Sequence, residues 1–159
     1  MSLVGLRGRH HPALSGIVTT SEVRDARIHL KMLSGDYLTF NIKAGQSGGS
    51  PYCWSCSPAS PQKEDIVHIL AICETYTDIR KRILPGFQML CQNSQSNIDF
   101  QDVCSQDKSF TQLIVDPSSF NLDVRINISD PILPSIFKLS LDYCNAIHTK
   151  RMINLKARD

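Results

Sequence analysis

Long hydrophobic runs are missing from this sequence. Its apolar stretches break off well short of the about 18 to 20 residues that a membrane-crossing helix needs, so no membrane span is expected. The N-terminal MSLVGLRGRHHPALSG is basic but lacks an apolar segment of secretory length. The reading is therefore a soluble, intracellular protein of nucleus or cytoplasm, with its cysteines reduced. Three further absences narrow the chemistry. Without a Gly-rich phosphate loop, a nucleophile elbow or a His-Glu-x-x-His pattern, the common routes to phosphoryl transfer, acyl transfer and metallohydrolysis are lost, and an enzyme is not expected. No internal repeat occurs, which excludes a solenoid. A strong charge of one sign is lacking too, the net value being +2.

That small total hides an uneven distribution. Lys and Arg outnumber Asp and Glu six to three over residues 1–46, balance them over 47–90, fall to two against six over 91–130, and recover to five against two over 131–159. Basic ends suit a polyanionic partner, although ordinary surfaces carry such imbalances as well.

With 159 residues the chain can bury a core of its own, so a bound metal would be local reinforcement. TTSEVRDARIHLKML begins like a helix, with Thr19 and Glu22 forming a capping box and Val23, Ala26, Ile28, Leu30 and Leu33 as apolar positions. Arg24, Arg27 and Lys31 recur at spacings of three and four, so they line its other side, where a solvated face is the plain alternative to a polyanion contact. A short strand-like run and a Gly/Ser turn lead to Tyr52. Glu64 and Asp65 stand at the next helix start, and Thr75 with Asp78 look like the cap of YTDIRKRIL, which should end at Pro85 and Gly86. After a polar, acidic stretch, Asp130 as cap and Pro131 as first helical residue open a last helix with an apolar stripe of Leu133, Ile136, Phe137, Tyr143, Cys144 and Ile147, and a possible kink at Pro134.

Six cysteines are present, and four soft ligands crowd one window as Cys53-x2-Cys56-x11-His68-x4-Cys73. Two cysteines separated by two residues can place both sulfurs on one metal through a tight turn, and the spacing to the second pair lies near the zinc-finger range. On one continuous α-helix His68 and Cys73 would point roughly 140° apart. A shared metal therefore requires the helix to stop before Cys73, and the cap signal at Thr75 supplies such a stop. The alternative is a free cysteine pair, a surface histidine and a buried small hydrophobe. A zinc ion held by four side chains would be structural, since no coordination position stays open for water. Trp54 could stack on a base or cover the site. A second set from Cys144 and His148 with Cys91 or Cys104 is weaker, because Cys144 already belongs to the apolar stripe. The aspartates 99, 102, 107, 116, 123 and 130 could be drawn as a magnesium site, but capping and solvation account for them more simply.

RIHLKMLSGDYLTFN before CWSC, then EDIVHILAIC running into TDIRKRIL, resembles the region downstream of the polymerase domain in non-LTR (LINE-type) retrotransposon reverse transcriptases. The tail DPSSFNLDVRINISDPILPSIFKLSLDYCNAIHTKRM is similar to the C-terminus of some of these proteins, so the resemblance covers about residues 22 to 152. It implies a CCHC zinc knuckle with Cys53, Cys56, His68 and Cys73 as ligands, and RNA or DNA contacts from Arg24, Arg27, Lys31, Arg80, Lys81 and Arg82, with Trp54 or Tyr52 against a base. It also implies the remainder of a reverse-transcriptase polypeptide as a partner. The gap of eleven residues before His68 exceeds the family's usual one, which puts the geometry of SPASPQKEDIV in question. The family's polymerase signature, two aspartates after an aromatic and a small residue, is absent, so the chain is expected to be a C-terminal fragment or remnant that does not polymerise.

The expected fold is mainly α, a small helical domain with a zinc-knuckle insert and little strand. Its segments would be a basic lead-in and helix (1–46), the metal module (47–87), an acidic connector with short helices (88–130) and the amphipathic last helix with a basic tail (131–159). The competing reading is a helical interaction domain that docks a partner, or the parent polypeptide, through the stripe of residues 133–147.

Overall fold

The computed structural model describes residues 19–37, 50–53, 55–56, 59–93, 98–117 and 131–157. Within them the protein is mainly helical, and the one strand-like feature is an isolated antiparallel bridge between Tyr52 and Lys63. The strand-like run after Tyr37, Trp54, and Asp123 and Asp130 of the acidic set all lie outside the described residues.

Helix α1 (Thr20–Ser34) opens on the expected capping box, in which Thr19 Oγ1 accepts from Glu22 N–H while the Glu22 carboxylate accepts from Thr19 N–H. It closes on Gly35, whose φ of 81° is a left-handed cap that a residue without Cβ adopts at no steric cost. The buried side is Ala26, Ile28, His29 and Met32. Val23, read from the sequence as apolar face, is 54% exposed, and His29 takes a core position instead. Its Nε2–H donates to the Ile114 carbonyl at 3.0 Å, and its ring meets Phe137 edge-on, so one hydrogen bond makes the imidazole acceptable inside.

A short irregular helix, with a π-helical stretch at His68–Ile72 and a single 3₁₀ turn at Glu74–Tyr76, leads into α2 (Thr77–Gln92). That helix does not end at Pro85 and Gly86 as the sequence suggested. Proline removes one backbone bond, to the carbonyl of exposed Lys81, where water can serve; a proline inside a helix costs about 3 kcal/mol. Continuing the helix buries Phe87 and Cys91, and a fully buried Phe alone contributes about 1.5–3 kcal/mol. Gly86 helps, because a Cβ there would stand 3.0 Å from Leu139 Cδ2, so the glycine lets two helices approach closely.

Two short helices follow, α3 (Phe100–Ser105) and α4 (Asp107–Val115). Asp99 caps α3 by accepting from the N–H groups of Gln101 and Asp102, and Asp102 and Asp107 occupy first turns, so these acids do local structural work. The last helix, α5 (Leu133–Lys156), starts two residues later than expected, after a turn at 131–132. Pro134 falls in its first turn, where an N–H has no intrahelical partner, and so it introduces no kink.

Helix α5 is the spine. It buries Leu133, Ile136, Phe137, Ser140, Tyr143, Cys144, Ile147 and Arg151, a run at spacings of three and four, against α1, α2, α4 and the π-helical stretch. One hydrophobic cluster runs from Ile28 to Ile147 and takes in Cys53 and Cys73, so the four segments drawn from the sequence share a core. Among the described residues no helix is long and apolar enough to cross a membrane.

Candidate metal centre

Two backbone devices bring the four ligands together. The first is a turn at 51–56, closed by Cys56 N–H to Cys53 C=O and held from outside by Cys53 N–H to Gln62 C=O at 2.7 Å and Glu64 N–H to Pro51 C=O at 3.0 Å. The long gap before His68 is thereby accounted for: its second half folds back along the first cysteine through the Tyr52–Lys63 bridge. Asp65 then opens the helical stretch, its Oδ1 accepting from His68 N–H at 2.8 Å.

The second device solves the helix-phase problem. Cys73 N–H donates to His68 C=O at 2.7 Å, an i→i+5 bond that widens the turn, and the chain leaves the helix at Cys73 with φ −55° and ψ 120°. Cys73 thus returns to the side of His68. The break lies where the sequence required it, but Thr75 does not cap α2, whose N-terminal residue Tyr76 makes no side-chain cap bond. Thr75 lies instead in the 3₁₀ turn Glu74–Tyr76, two residues past Cys73. Asp78 reaches across to Lys150 on α5 at 2.7 Å.

Cys53 Sγ lies 3.8 Å from Cys73 Sγ, Cys56 Sγ lies 3.4 Å from His68 Nε2, and all four ligand atoms fall within 4.8 Å of one another. Metal–sulfur bonds of about 2.3 Å and a metal–nitrogen bond of about 2.0 Å at tetrahedral angles separate two sulfurs by about 3.8 Å, and sulfur from nitrogen by about 3.5 Å. The Cys53–Cys73 and Cys56–His68 separations match those of a tetrahedral ion, and the four groups could hold one. Cys53, His68 and Cys73 are buried and Cys56 is half-buried. Together these four soft groups could hold a metal.

The thiols differ. The hydrogen bond with Cys73, together with burial, pushes the Cys53 thiol up to about 12, whereas Cys73 is lowered, first by that same hydrogen bond and then by the Thr75 donors. Desolvation raises Cys56. His68 Nδ1, the ring nitrogen turned away from the cysteines, is buried with no acceptor among the described residues.

Around the centre lies a polar network that sequence reading missed. Glu64, between the second and third ligands, is fully buried and pairs with Arg151 of α5 at 2.5 Å. Arg151 also stands over the Tyr37 ring, 5.9 Å from its centroid, and Tyr37 O–H donates to His148 Nδ1 at 2.9 Å. Tyr143 O–H donates to the Leu70 carbonyl inside the π-helical stretch. A signal for Arg151 was present, because it continues the α5 stripe four residues beyond Ile147; Glu64 carried none.

The basic candidates separate. Arg24, Arg27 and Lys31 are exposed on α1, with Arg24 also 3.4 Å from Asp25, and Lys81 and Arg82 are exposed on α2. Arg80 turns inward, its Nη2 donating to the Cys73 and Ile72 carbonyls and to Thr77 Oγ1. Tyr52 is 49% exposed beside the first cysteine. Cys144 is fully buried in the core, and His148 is engaged by Tyr37; among the described residues only the Cys53, Cys56, His68, Cys73 group has metal-ligand geometry. Compared with known proteins, the chain matches no family model, no curated protein and no solved structure.

Proposed function

We propose that this chain is a zinc-stabilised nucleic-acid-binding segment, related to the C-terminal region of non-LTR reverse transcriptases, that helps to hold template RNA or target DNA. The observation that carries the reading is the gathering of three sulfurs and one imidazole nitrogen within 4.8 Å of one another, with exposed cations on the helices before and after them. Three thiolates and an imidazole at that spacing favour zinc over magnesium or calcium, which prefer oxygen ligands. With every coordination position taken by protein, the ion would pin the chain and leave binding to the surface. Phosphates would be met by Arg24, Arg27, Lys31, Lys81 and Arg82. The chain itself would not be an enzyme, and the rest of a reverse-transcriptase polypeptide would be its natural neighbour.

The competing reading placed a partner on the stripe of residues 133–147. Leu133, Ile136, Phe137, Tyr143, Cys144 and Ile147 pack into the chain's own core, so the observations favour the first reading.

Two measurements test the proposal. Metal analysis of the purified chain should give one zinc per molecule, lost in Cys56→Ser together with order around residues 51–76. Binding to a labelled RNA or DNA oligonucleotide should weaken with salt at a log–log slope of about −0.7 to −0.9 per phosphate neutralised. Affinity independent of salt would sink the nucleic-acid reading, and a well-folded chain without metal would sink the zinc.

A further inference from the structure

We propose that Arg80 is a positioning residue of the metal centre, which holds the chain break at Cys73 and balances the charge of the ligand set, and that it is not one of the polyanion contacts. The proposal rests on the metal reading above and assigns a role within it.

The argument begins with the backbone. Ending a helix at Cys73 leaves carbonyls at its C-terminus short of intrahelical donors: that of Cys73 accepts from Tyr76 N–H at 3.1 Å and has a second lone pair to fill. Arg80 Nη2 lies 2.5 Å from the Cys73 carbonyl and 3.4 Å from that of Ile72, and it also donates to Thr77 Oγ1 at 3.0 Å. A planar guanidinium can serve several acceptors at once in fixed geometry, which an ammonium on a flexible stem does less well. The residue sits on the first turns of α2, so its bonds tie the outgoing helix to the segment that aims the Cys73 sulfur.

Charge supplies the second argument. Among the described residues no carboxylate lies within ion-pair distance of Arg80, and its Nη1 is buried without a hydrogen-bond acceptor. A half-buried cation with no anion is costly unless another charge compensates. A divalent ion with three thiolates and a neutral imidazole would carry one net negative charge, and Arg80 is tied to that set through the Cys73 carbonyl. The neighbouring cations Lys81 and Arg82 are exposed and have no such arrangement.

The test uses the full chain and cobalt(II), whose absorption reports tetrahedral thiolate coordination. Arg80→Gln should weaken cobalt and zinc binding about 10- to 100-fold and alter the ligand-field bands; Arg80→Lys should recover part of the loss, and Arg82→Gln should leave metal binding unchanged. In the zinc-saturated proteins, Arg82→Gln should reduce the salt slope of RNA binding by about one phosphate contact while Arg80→Gln does not. If Arg80→Gln does not fold, Thr77→Val, which removes one acceptor of the same guanidinium, should still weaken cobalt binding several-fold. Unchanged metal affinity with a reduced RNA slope in Arg80→Gln would overturn the assignment in favour of a phosphate contact. Equal loss of thermal stability with and without metal, with an unaltered cobalt spectrum, would reduce Arg80 to an ordinary structural residue and likewise overturn it. A wild-type chain that binds no cobalt would instead refute the metal reading itself.

Discussion

Glu64 and Arg151 form the most consequential side-chain pair outside the ligands. Both are almost completely buried and their charged atoms are 2.5 Å apart. Removing one partner from such a pair strands the other charge, which typically costs about 3–5 kcal/mol, whereas replacing both with apolar groups is often close to neutral. Arg151→Met alone should therefore destabilise the metal-loaded protein by about 3 kcal/mol or more in urea unfolding, and Glu64→Leu combined with it should restore most of that loss. Additive losses in this double-mutant cycle would mean that the two residues are not coupled. His148 gives a pH test. Burial, then the positive charges of Arg151, Arg24 and Lys31, hold its imidazole below the usual histidine range. A folded-state pKa below the unfolded one of about 6.5 gives a contribution that is complete above that pH and is lost as pH falls through the folded value. An NMR titration should place the His148 midpoint below 6.5, and His148→Gln should flatten the loss of stability on that acid side. A midpoint above 6.5 would contradict the described packing.

Among the elements, α1 and α2 offer contrasting tests of local signals. The Thr19 box is a local device, readable in sequence because its partners are three residues apart, and Thr19→Ala should cost about 1 kcal/mol. Pro85 gives the opposite sign. It sits on an exposed position inside a helix held in place by burial further along, so Pro85→Ala should stabilise the protein by about 1 kcal/mol, raising Tm by roughly 2–4 °C. A lower Tm would mean that the proline is needed to seat Phe87. The helix was expected to stop there because proline is the strongest local breaker, and it continued because apolar burial beyond the proline outweighs one missing bond. Similar reasoning covers Val23, whose hydrophobicity put it on the inner face of α1 while the packing of α1 on α5 turned it outward.

At the scale of the molecule, the metal loop and α5 are tied by two contacts of long sequence separation, Tyr143 to the Leu70 carbonyl and Arg151 to Glu64, and Lys150 to Asp78 adds a third between α5 and the start of α2. A ligand set seated this way shares its stability with the helix that covers it. Chelation of the metal is thus expected to speed amide exchange around Tyr143 and Arg151 as well as in residues 51–76. Exchange that changes only in the loop would make the centre a separable insert instead of a part of the common core.

What the sequence determined by itself is what depends on near neighbours. The capping box of α1, the left-handed glycine after it, the four metal-ligand candidates and the stripe of α5 were all legible, because each is a matter of residue type at a spacing of at most a few turns. Even the need for a break before Cys73 followed from helix phase alone. Tertiary structure decided the rest. It supplied the wide i→i+5 turn, put Thr75 into the 3₁₀ turn before α2, turned Arg80 inward while leaving Lys81 and Arg82 outside, and buried Glu64 against an arginine 87 positions away. No local pattern encodes these outcomes, since a charged side chain reads the same in sequence whether it meets water or a buried partner supplied by a distant helix.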